Sequence, residues 1–369
     1  MEKNNLYRWS NPDTILLATN LRDAPHLLPH AIAQARQNNA KVLLVHVIEP
    51  AYLRTNPAEG PPFVLPGPTV RSVQVRLNRI VKHFQQKGIL CEPITLQGMP
   101  KEEIAALIRQ REVDRVIVGT RSAEAMDRII LGSVAEDLLH EVDVPTCIIG
   151  PHVRPQVWPD HKPASILLAT SLHHKNRQSA LLALEIANLY QSHLTLLHVM
   201  TARSANRKEL SWLHESRKEE LFGLITLESK LWSSPGIAIR EGDVAEEILA
   251  EAANVSADLI VLGTTAASKV SRLLAGGVVH RVIAQAKAPV ITLREEHEAL
   301  KGDVQKRIAA DWRAAGLQYQ EDFDWNYRAG RDRGSLAPRP EEPRGALNDF
   351  GDRMPVRITA DMGPRDHHV

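Results

Sequence analysis

The residues best suited to chemistry are one glycine and a Gly-Ser pair that follows it at a fixed distance. Gly119 ends an apolar segment, Arg121 and Ser122 follow it, and nine further residues lead to Gly132 and Ser133. A glycine lets the chain turn and lets a ligand approach the backbone closely. A Gly-Ser pair at a helix start offers unpaired N–H groups, a positive dipole end and a hydroxyl to phosphate oxygens. The spacing therefore suggests a phosphate-bearing ligand.

The same segment also has an interpretation that needs no ligand. Ser133 is followed three residues later by Glu136, which is the pattern of a capping box at a helix N-terminus. From spacing alone, phosphate binding and simple helix capping both stay open.

The elements that must position this segment occur twice in the chain. Four apolar segments recur in the same order at an offset of roughly 145–150 residues, which is typical of a duplicated domain. The segments 15–19, 43–47, 116–120 and 144–149 return as 166–170, 196–199, 260–264 and 288–293.

Each copy alternates short apolar segments with longer helical patterns, which predicts a parallel sheet with crossover helices. The strands are apolar throughout, as expected when helices cover both faces of the sheet. We expect strands near 14–19, 41–48, 89–95, 114–119 and 145–150, then near 165–170, 193–200, 236–240, 258–263 and 289–294. We expect helices near 24–38, 69–87, 100–111 and 133–141, then near 174–190, 206–232, 244–254 and 276–286.

The pattern divides the chain into two domains, a linker and a tail. We predict domain one at 11–150, a proline-rich stiff linker at 151–163 and domain two at 164–295. The tail, 296–369, begins with a helical pattern at 298–315 and then becomes rich in Gly, Pro, Arg and Asp, which predicts disorder.

Composition excludes several classes of partner. The formal net charge is +1, so attraction to nucleic acid or an anionic membrane is not expected. No apolar run approaches the ~20 residues that span a bilayer. Cys91 and Cys147 both lie in strand-like segments and are expected to be buried free thiols. These features predict a soluble, cytoplasmic protein.

Other polar patterns favour structure over chemistry. His46 and His198 occupy matching places in strand two of each copy, where a packed, hydrogen-bonded histidine is the better interpretation than a catalytic one. His26 and His30 are four residues apart on one helical face but lack a third residue with metal-ligand spacing. The chain has none of the common nucleotide, metalloprotease or hydrolase motifs. We therefore expect neither a metal site nor an enzyme.

Taken together, these segments resemble the universal stress protein family. The resemblance rests on the first strand at 15–19, on the Gly119 to Ser133 segment, and on 242–248 leading into 257–263. It covers about 14–150 and 164–294. It implies an α/β fold with two copies of a five-stranded parallel α/β sandwich, similar to the adenine nucleotide alpha hydrolases. It also implies that the two copies pair within the chain, partly through the last strand, with a homodimer as a further arrangement.

Many members of this family bind ATP through Gly-x2-Gly-x9-Gly-Ser/Thr, and others lack the motif and bind none. Here Ser122 replaces the second glycine, and Asn20 stands where ATP-binding members have an aspartate. The resemblance implies an ATP site in copy one, with Mg²⁺ accompanying the nucleotide. Its residues would be Ala18, Asn20, Val47, Gly119, Arg121, Ser122, Gly132, Ser133 and Val134.

Copy two departs further from the motif. Gly263 remains, but Ala266 replaces the second glycine, Gly276-Gly277 replaces Gly-Ser, and Ser171 takes the aspartate's place. We expect the second half to be mainly a structural partner.

Three functions follow from these patterns. The first is a universal stress-type regulatory or protective protein whose copy one binds ATP or a related nucleotide. The second is a scaffold with two degenerate sites, in which the tail recruits a protein partner. The third, with the least support, is a weak ATPase, because no general base is evident beside Ser133.

Overall fold

The structure, a computed structural model, describes the chain in eight stretches. These are residues 2–49, 69–120, 133–154, 162–172, 177–200, 207–225, 233–264 and 277–294. The predicted helix at 298–315 and the predicted disordered tail lie outside them. So do three of the expected site residues, Arg121, Ser122 and Gly132.

Within these stretches, helices and strands alternate through both copies. The first copy contains α1 (Glu2–Ser10), β1 (Thr14–Ala18), α2 (Ala24–Asn38), β2 (Lys41–Ile48), α3 (Val70–Gln85), β3 (Cys91–Gln97), α4 (Pro100–Gln110), β4 (Arg115–Gly119), α5 (Ser133–Glu141) and β5 (Thr146–Ile149). The second contains β6 (Ser165–Ala169), α6 (Arg177–Tyr190), β7 (His193–Met200), α7 (Arg207–Leu224), β8 (Gly236–Glu241), α8 (Val244–Asn254), β9 (Leu259–Thr264), α9 (Val278–Gln285) and β10 (Val290–Arg294).

Helix α1 and the end of α7 differ from the sequence prediction. No helix was expected at Glu2–Ser10, yet α1 forms there and packs against α6 of the second copy. The helix predicted at 206–232 is α7, which ends at Leu224, and residues 226–232 lie outside the described stretches.

All ten strands join one sheet. Their order is β3-β2-β1-β4-β5-β10-β9-β6-β7-β8, and every pairing is parallel except the antiparallel pair of β5 with β10. The predicted five-stranded parallel sheet is thus present in each copy, and the two sheets meet edge to edge. Because β5 and β10 run in opposite directions, the carboxyl ends of the strands face opposite edges in the two halves.

The buried strands explain why each sheet needs helices on both faces. Along β1, Ile15 and Leu17 belong to one apolar core, while Leu16 and Ala18 belong to the other. Successive side chains of a strand point to opposite faces, so an unbroken apolar run fills two cores at once. Helices α2, α3 and α6 cover one face, and α4, α5, α8 and α9 cover the other.

The junction between the copies has approximate two-fold symmetry. Cys147 lies two residues after Pro145, and Ile291 lies two residues after Pro289, so the two are counterparts in the duplicated pattern. They face each other in the β5–β10 register. The pseudo-symmetry axis therefore passes through this pair.

Counterparts also meet above and below the sheet. Asn38 and Tyr190 each end their helix, α2 and α6, and the Tyr190 hydroxyl lies 2.5 Å from Asn38 Oδ1. On the other face, Glu136 and His280 each lie nine residues before the proline preceding the last strand. Glu136 Oε1 and His280 Nε2 are 3.8 Å apart. Each axial pair joins two different residue types.

A buried guanidinium attaches α1 to this junction. Arg115 is 2% exposed, and its Nη1 donates to Gln34 Oε1 at 3.1 Å. Its Nη2 donates to the carbonyl oxygens of Trp9 and Ser10 at the end of α1. A cation at a helix C-terminus satisfies carbonyls that have no partner in the helix and complements the helix dipole. This contact explains why a helix with little apolar surface forms at Glu2–Ser10.

Backbone geometry repeats between the copies as closely as sequence does. In the eight described stretches, six residues other than glycine have a positive φ, and they form three pairs of counterparts: Leu21 and Leu172, Asn39 and Gln191, Glu112 and Ser256. For a leucine this left-handed conformation is uncommon and costs energy, so both turns after the first strand must be held by their surroundings.

Gly150 provides a test of packing at the junction. A Cβ at this position would lie 2.3 Å from the backbone oxygen of Ile283. We expect Gly150→Ala to destabilise the protein by roughly 1–3 kcal/mol, because backbone atoms must move to admit the methyl group. Gly223, in α7, is the matched control, since a Cβ added there would meet no atom within 4 Å. Gly223→Ala should be neutral or stabilising by up to ~1 kcal/mol, since alanine favours helix. Urea denaturation of both variants measures the difference, and equal effects would contradict this view of the junction.

His30 predicts how stability depends on pH. The side chain is 3% exposed, and burial, with a smaller contribution from His26, lowers its pKa to about 4. In the unfolded chain the His30 imidazole takes up a proton near pH 6.5. The contribution of neutral His30 to stability is therefore fully present above that pH and is lost as the pH falls toward 4. The loss is on the order of 3 kcal/mol. Leu182 holds the matching position in α6, nine residues before the left-handed cap, as His30 does in α2.

We therefore expect His30→Leu to lose less stability than the wild type between pH 7 and pH 4.5. Urea midpoints at both pH values measure this. If the urea midpoint falls by the same amount between the two pH values in His30→Leu and in the wild type, His30 does not contribute to acid sensitivity.

Candidate functional site

A cavity of about 460 Å³ opens at the carboxyl ends of β1, β2 and β4 in the first copy. It lies where the strand order reverses between β1 and β4, which is where open parallel sheets bind ligands. Five of the residues expected from the sequence line it: Ala18, Asn20, Val47, Gly119 and Val134. Ser133 begins α5 beside this cavity, although its side chain is not among those described.

The walls of the cavity come from both faces of the sheet. Val47 on β2 and Val118 on β4 are apolar strand residues, and Ile104 of α4 lines the cavity from one face. Gly119 also lines the cavity, and a Cβ there would crowd its neighbours, at 3.1 Å from Leu27 Cδ2 and 3.3 Å from Asp23 Oδ2. The result is an apolar pocket with polar groups concentrated in the turn after β1.

That turn is held by a compact hydrogen-bond network. Thr19 Oγ1 accepts from the backbone N–H of Leu21 at 2.9 Å and donates to Asp23 Oδ1 at 2.5 Å. These bonds hold Leu21 in its left-handed conformation, with φ of 70°. In copy two, Thr170 Oγ1 accepts from Leu172 N at 3.1 Å, so the same turn recurs.

Asn20 is in the cavity wall but can offer a ligand only part of its amide. Its Oδ1 accepts from the backbone N–H groups of Arg22, at 2.8 Å, and Asp23, at 3.0 Å. Two N–H donors identify this atom as the oxygen, because the amide nitrogen cannot accept. The group that remains for a ligand is therefore the Nδ2 donor.

Asp23 is a site residue that the sequence analysis missed. Its half-buried carboxylate lines the cavity, and Oδ1 accepts from Thr19 Oγ1 and, at 3.2 Å, from Asn20 N. Burial raises the pKa of this carboxyl, although the hydrogen bond from Thr19 acts in the opposite direction. An aspartate before Ala24-Pro25 has the form of an ordinary helix N-cap, yet no side-chain cap bond forms in α2. The only signal in the sequence was an acid three residues after Asn20.

His46 is held mainly by the backbone. Its Nδ1 donates to the carbonyl oxygen of Thr19 at 2.8 Å, and His198 Nδ1 donates in the same way to Thr170 at 3.0 Å. This repeated bond agrees with the interpretation of both histidines as packed, hydrogen-bonded residues. His46 nevertheless lines the cavity, so its Nε2 is the ring nitrogen left for other contacts. Burial lowers the pKa of His198.

Charged side chains surround the mouth of the cavity and were not expected from the sequence. Arg22, Arg76 and Glu49 all line it. Arg76 belongs to α3, and its Nη2 lies 3.5 Å from the carbonyl oxygen of Leu21. The cavity thus combines cationic and anionic groups at its rim.

In copy two, partly exposed ion pairs lie at the starts of α8 and α9. Arg281 of α9 contacts Asp243 Oδ2 at 2.7 Å and Glu246 Oε1 at 3.3 Å, beside the helix that follows Gly277. Asp243 also caps α8, because its Oδ1 accepts from the backbone N–H of Glu246 at 3.0 Å. The hydrogen bond from Arg281 lowers the pKa of Asp243.

The described residues give no sign of a metal centre or a membrane span. No cluster of three or more His, Cys, Asp or Glu side chains in the described stretches could hold a metal ion. Among the helices in those stretches, none is long and apolar enough to cross a bilayer. Cys91 and Cys147 are both buried free thiols, as predicted.

Comparison with known proteins connects this architecture to one family. The model of the universal stress protein family matches residues 12–150 and again 164–294. A universal stress protein of Methanocaldococcus jannaschii is 27% identical over 120 residues, covering 32% of this chain and 71% of the relative. One from Thermus aquaticus is 29% identical over 144 residues, covering 37% of this chain and 97% of the relative.

A solved structure has the same fold over most of the described chain. The universal stress protein from Archaeoglobus fulgidus superposes with a TM-score of 0.57 at 20% identity, covering 80% of this chain and 100% of that one. The family match extends over both copies and well over half of the sequence. The chain therefore belongs to the universal stress protein family, with two such domains in tandem.

Proposed function

We propose that copy one binds an adenine nucleotide and that copy two serves mainly as its structural partner. The observation that carries this proposal is the 460 Å³ cavity at the switch point of the first sheet. Its wall includes an apolar surface suited to a base, at Val47 and Val118, and it extends to Gly119 and the start of α5. A helix N-terminus there suits phosphate oxygens. The family resemblance supports ATP, accompanied by Mg²⁺, as the first ligand to test.

We further propose binding without turnover. Among the described lining residues, no hydroxyl or thiol is paired with a histidine in the way that activates a nucleophile. His46 has its Nδ1 engaged with Thr19 O, and Asp23 has its Oδ1 engaged with Thr19 Oγ1. Both groups take part in hydrogen bonds that fix the turn after β1. A regulatory or protective role therefore has more support than ATP hydrolysis.

Helix α5 gives such a regulator a physical route from ligand to protein surface. Its first turn would contact the phosphates, while the same helix packs against the second copy. Leu139 O accepts a hydrogen bond from Thr264 Oγ1 at 3.4 Å, and Glu136 Oε1 lies 3.8 Å from His280 Nε2. A nucleotide that shifts α5 would thereby alter the junction between the copies. A cytoplasmic location, a second chain as partner, and recruitment through the tail stay predictions from the sequence.

Blocking each cavity region separately tests the proposal. Val134 lines the copy-one cavity at the start of α5, and Val278 is its counterpart at the start of α9. We expect Val134→Trp to fill the pocket and to weaken Mg-ATP binding by at least about 10-fold, since the indole competes with the ligand for space. Val278→Trp, at a position 38% exposed, should leave binding unchanged. Calorimetric titration, together with the nucleotide content of purified protein, measures both.

The wild type should bind one nucleotide per chain. Loss of binding in Val278→Trp alone would move the site to copy two, and two nucleotides per chain would contradict the structural role of that copy. No heat at millimolar ATP, ADP, AMP or GTP would contradict nucleotide binding altogether and favour the scaffold hypothesis.

A further inference from the structure

The carboxylate of Asp23 occupies the cavity although the chain lacks the aspartate expected after β1. Asn20 stands at that position, and Asn20 and Asp23 are joined by two reciprocal hydrogen bonds. Asn20 N donates to Asp23 Oδ1 at 3.2 Å, and Asp23 N donates to Asn20 Oδ1 at 3.0 Å. The carboxylate of Asp23, the residue just before α2, is thereby directed back onto the turn after β1. An acidic group is restored to the site from a position three residues later.

The two carboxylate oxygens have different surroundings. Oδ1 is fixed by Thr19 Oγ1 and Asn20 N. Oδ2 receives no hydrogen bond from another residue in the described stretches, and it lies 3.3 Å from where a Cβ of Gly119 would be. Gly119 has no side chain to stand against this oxygen, and Asp23 is one of the residues that line the cavity. A half-buried carboxylate oxygen without a donor is unfavourable, so a ligand that supplies one gains affinity.

The position of Oδ2 indicates which part of a nucleotide it would meet. The strand order β2-β1-β4 places Val47, on β2, at one side of the cavity and Gly119, on β4, at the other. A base against Val47 and phosphates at the start of α5 leave the sugar between them, over the end of β1. The Asp23 carboxylate is bonded to Thr19 and Asn20 directly after β1, and its Oδ2 lies beside Gly119, so this oxygen is next to the position left for the sugar.

We propose that Asp23 Oδ2 accepts a hydrogen bond from a ribose hydroxyl, so that copy one selects ribonucleotides over deoxyribonucleotides. This inference rests on the proposed nucleotide site and adds its specificity. An ionised carboxylate accepts hydrogen bonds and cannot donate one, so it discriminates strongly between a hydroxyl and a hydrogen at the same carbon. The bond requires no movement of Asp23, because Oδ1 already fixes the carboxylate.

The test compares four ligands on the full chain: Mg-ATP, 2′-deoxy-ATP, 3′-deoxy-ATP and the triphosphate of purine riboside, which lacks the 6-amino group. In the wild type we expect one of the two deoxy ligands to bind about 10-fold or more weakly than ATP, from the loss of one charge-assisted hydrogen bond. In Asp23→Ala this ratio should fall to about one. The triphosphate of purine riboside should respond to the substitution as ATP does.

Glu49 supplies the matched control, since it is another carboxylate that lines the cavity. Glu49→Gln should preserve the wild-type ratio. Asp23→Asn, which keeps the shape of the side chain, should give an intermediate ratio and guards against a local collapse of the turn in Asp23→Ala. Equal urea midpoints for the variants and the wild type would show that the fold is retained.

Several results would overturn the inference while leaving the site intact. Equal wild-type affinities for ATP and both deoxy ligands would do so, and so would a ratio that survives in Asp23→Ala. Discrimination only against the purine riboside ligand, lost in Asp23→Ala, would place the carboxylate at the base instead. If the wild type binds none of the four ligands, the proposed function fails and this inference fails with it.

Discussion

The antiparallel pairing of β5 with β10 is the interaction on which the whole architecture depends. Each half alone would end in a strand with unpaired N–H and C=O groups, and such an edge seeks a partner. Here the partner is the duplicate half of the same chain, and Cys147 faces Ile291 at the centre of the pairing. The contacts of α1 with α6, and of α5 and α9 across the other face, exist only because this pairing brings the halves together.

The cavity of copy one combines backbone features that occur in both copies with side chains that occur in only one. Both halves keep the threonine-held turn with a left-handed leucine, at Leu21 and Leu172, and in both a histidine Nδ1 donates to the carbonyl oxygen of that threonine. The differences lie in what projects from this shared frame. Copy one places Asp23 beside Gly119, while copy two carries the partly exposed ion pairs of Arg281 at the corresponding helix start. The same backbone frame thus supports different side chains in the two halves.

Much of the fold was predictable from the sequence, because unbroken apolar runs leave few alternatives to a doubly covered parallel strand. Helix α1 was not, since its stability depends on Arg115, a residue more than a hundred positions away. Asp23 was missed for a related reason: its local pattern is that of a helix cap, and only the folded turn shows its carboxylate bonded to Thr19 instead. Local propensity identifies elements well, but it cannot identify a buried charge or a side chain that bonds away from its own helix.

The axial pairs at the junction have a consequence for how such a chain can change over generations. In a symmetric homodimer, a residue on the axis faces its own copy, so a glutamate there would oppose a second glutamate. Here Glu136 faces His280, and Asn38 faces Tyr190. Because the two halves belong to one chain, the surfaces that meet at the junction need not be identical. Each half can therefore accumulate substitutions that the other half does not share. One copy can then lose the residues that bind a ligand while the other copy retains them.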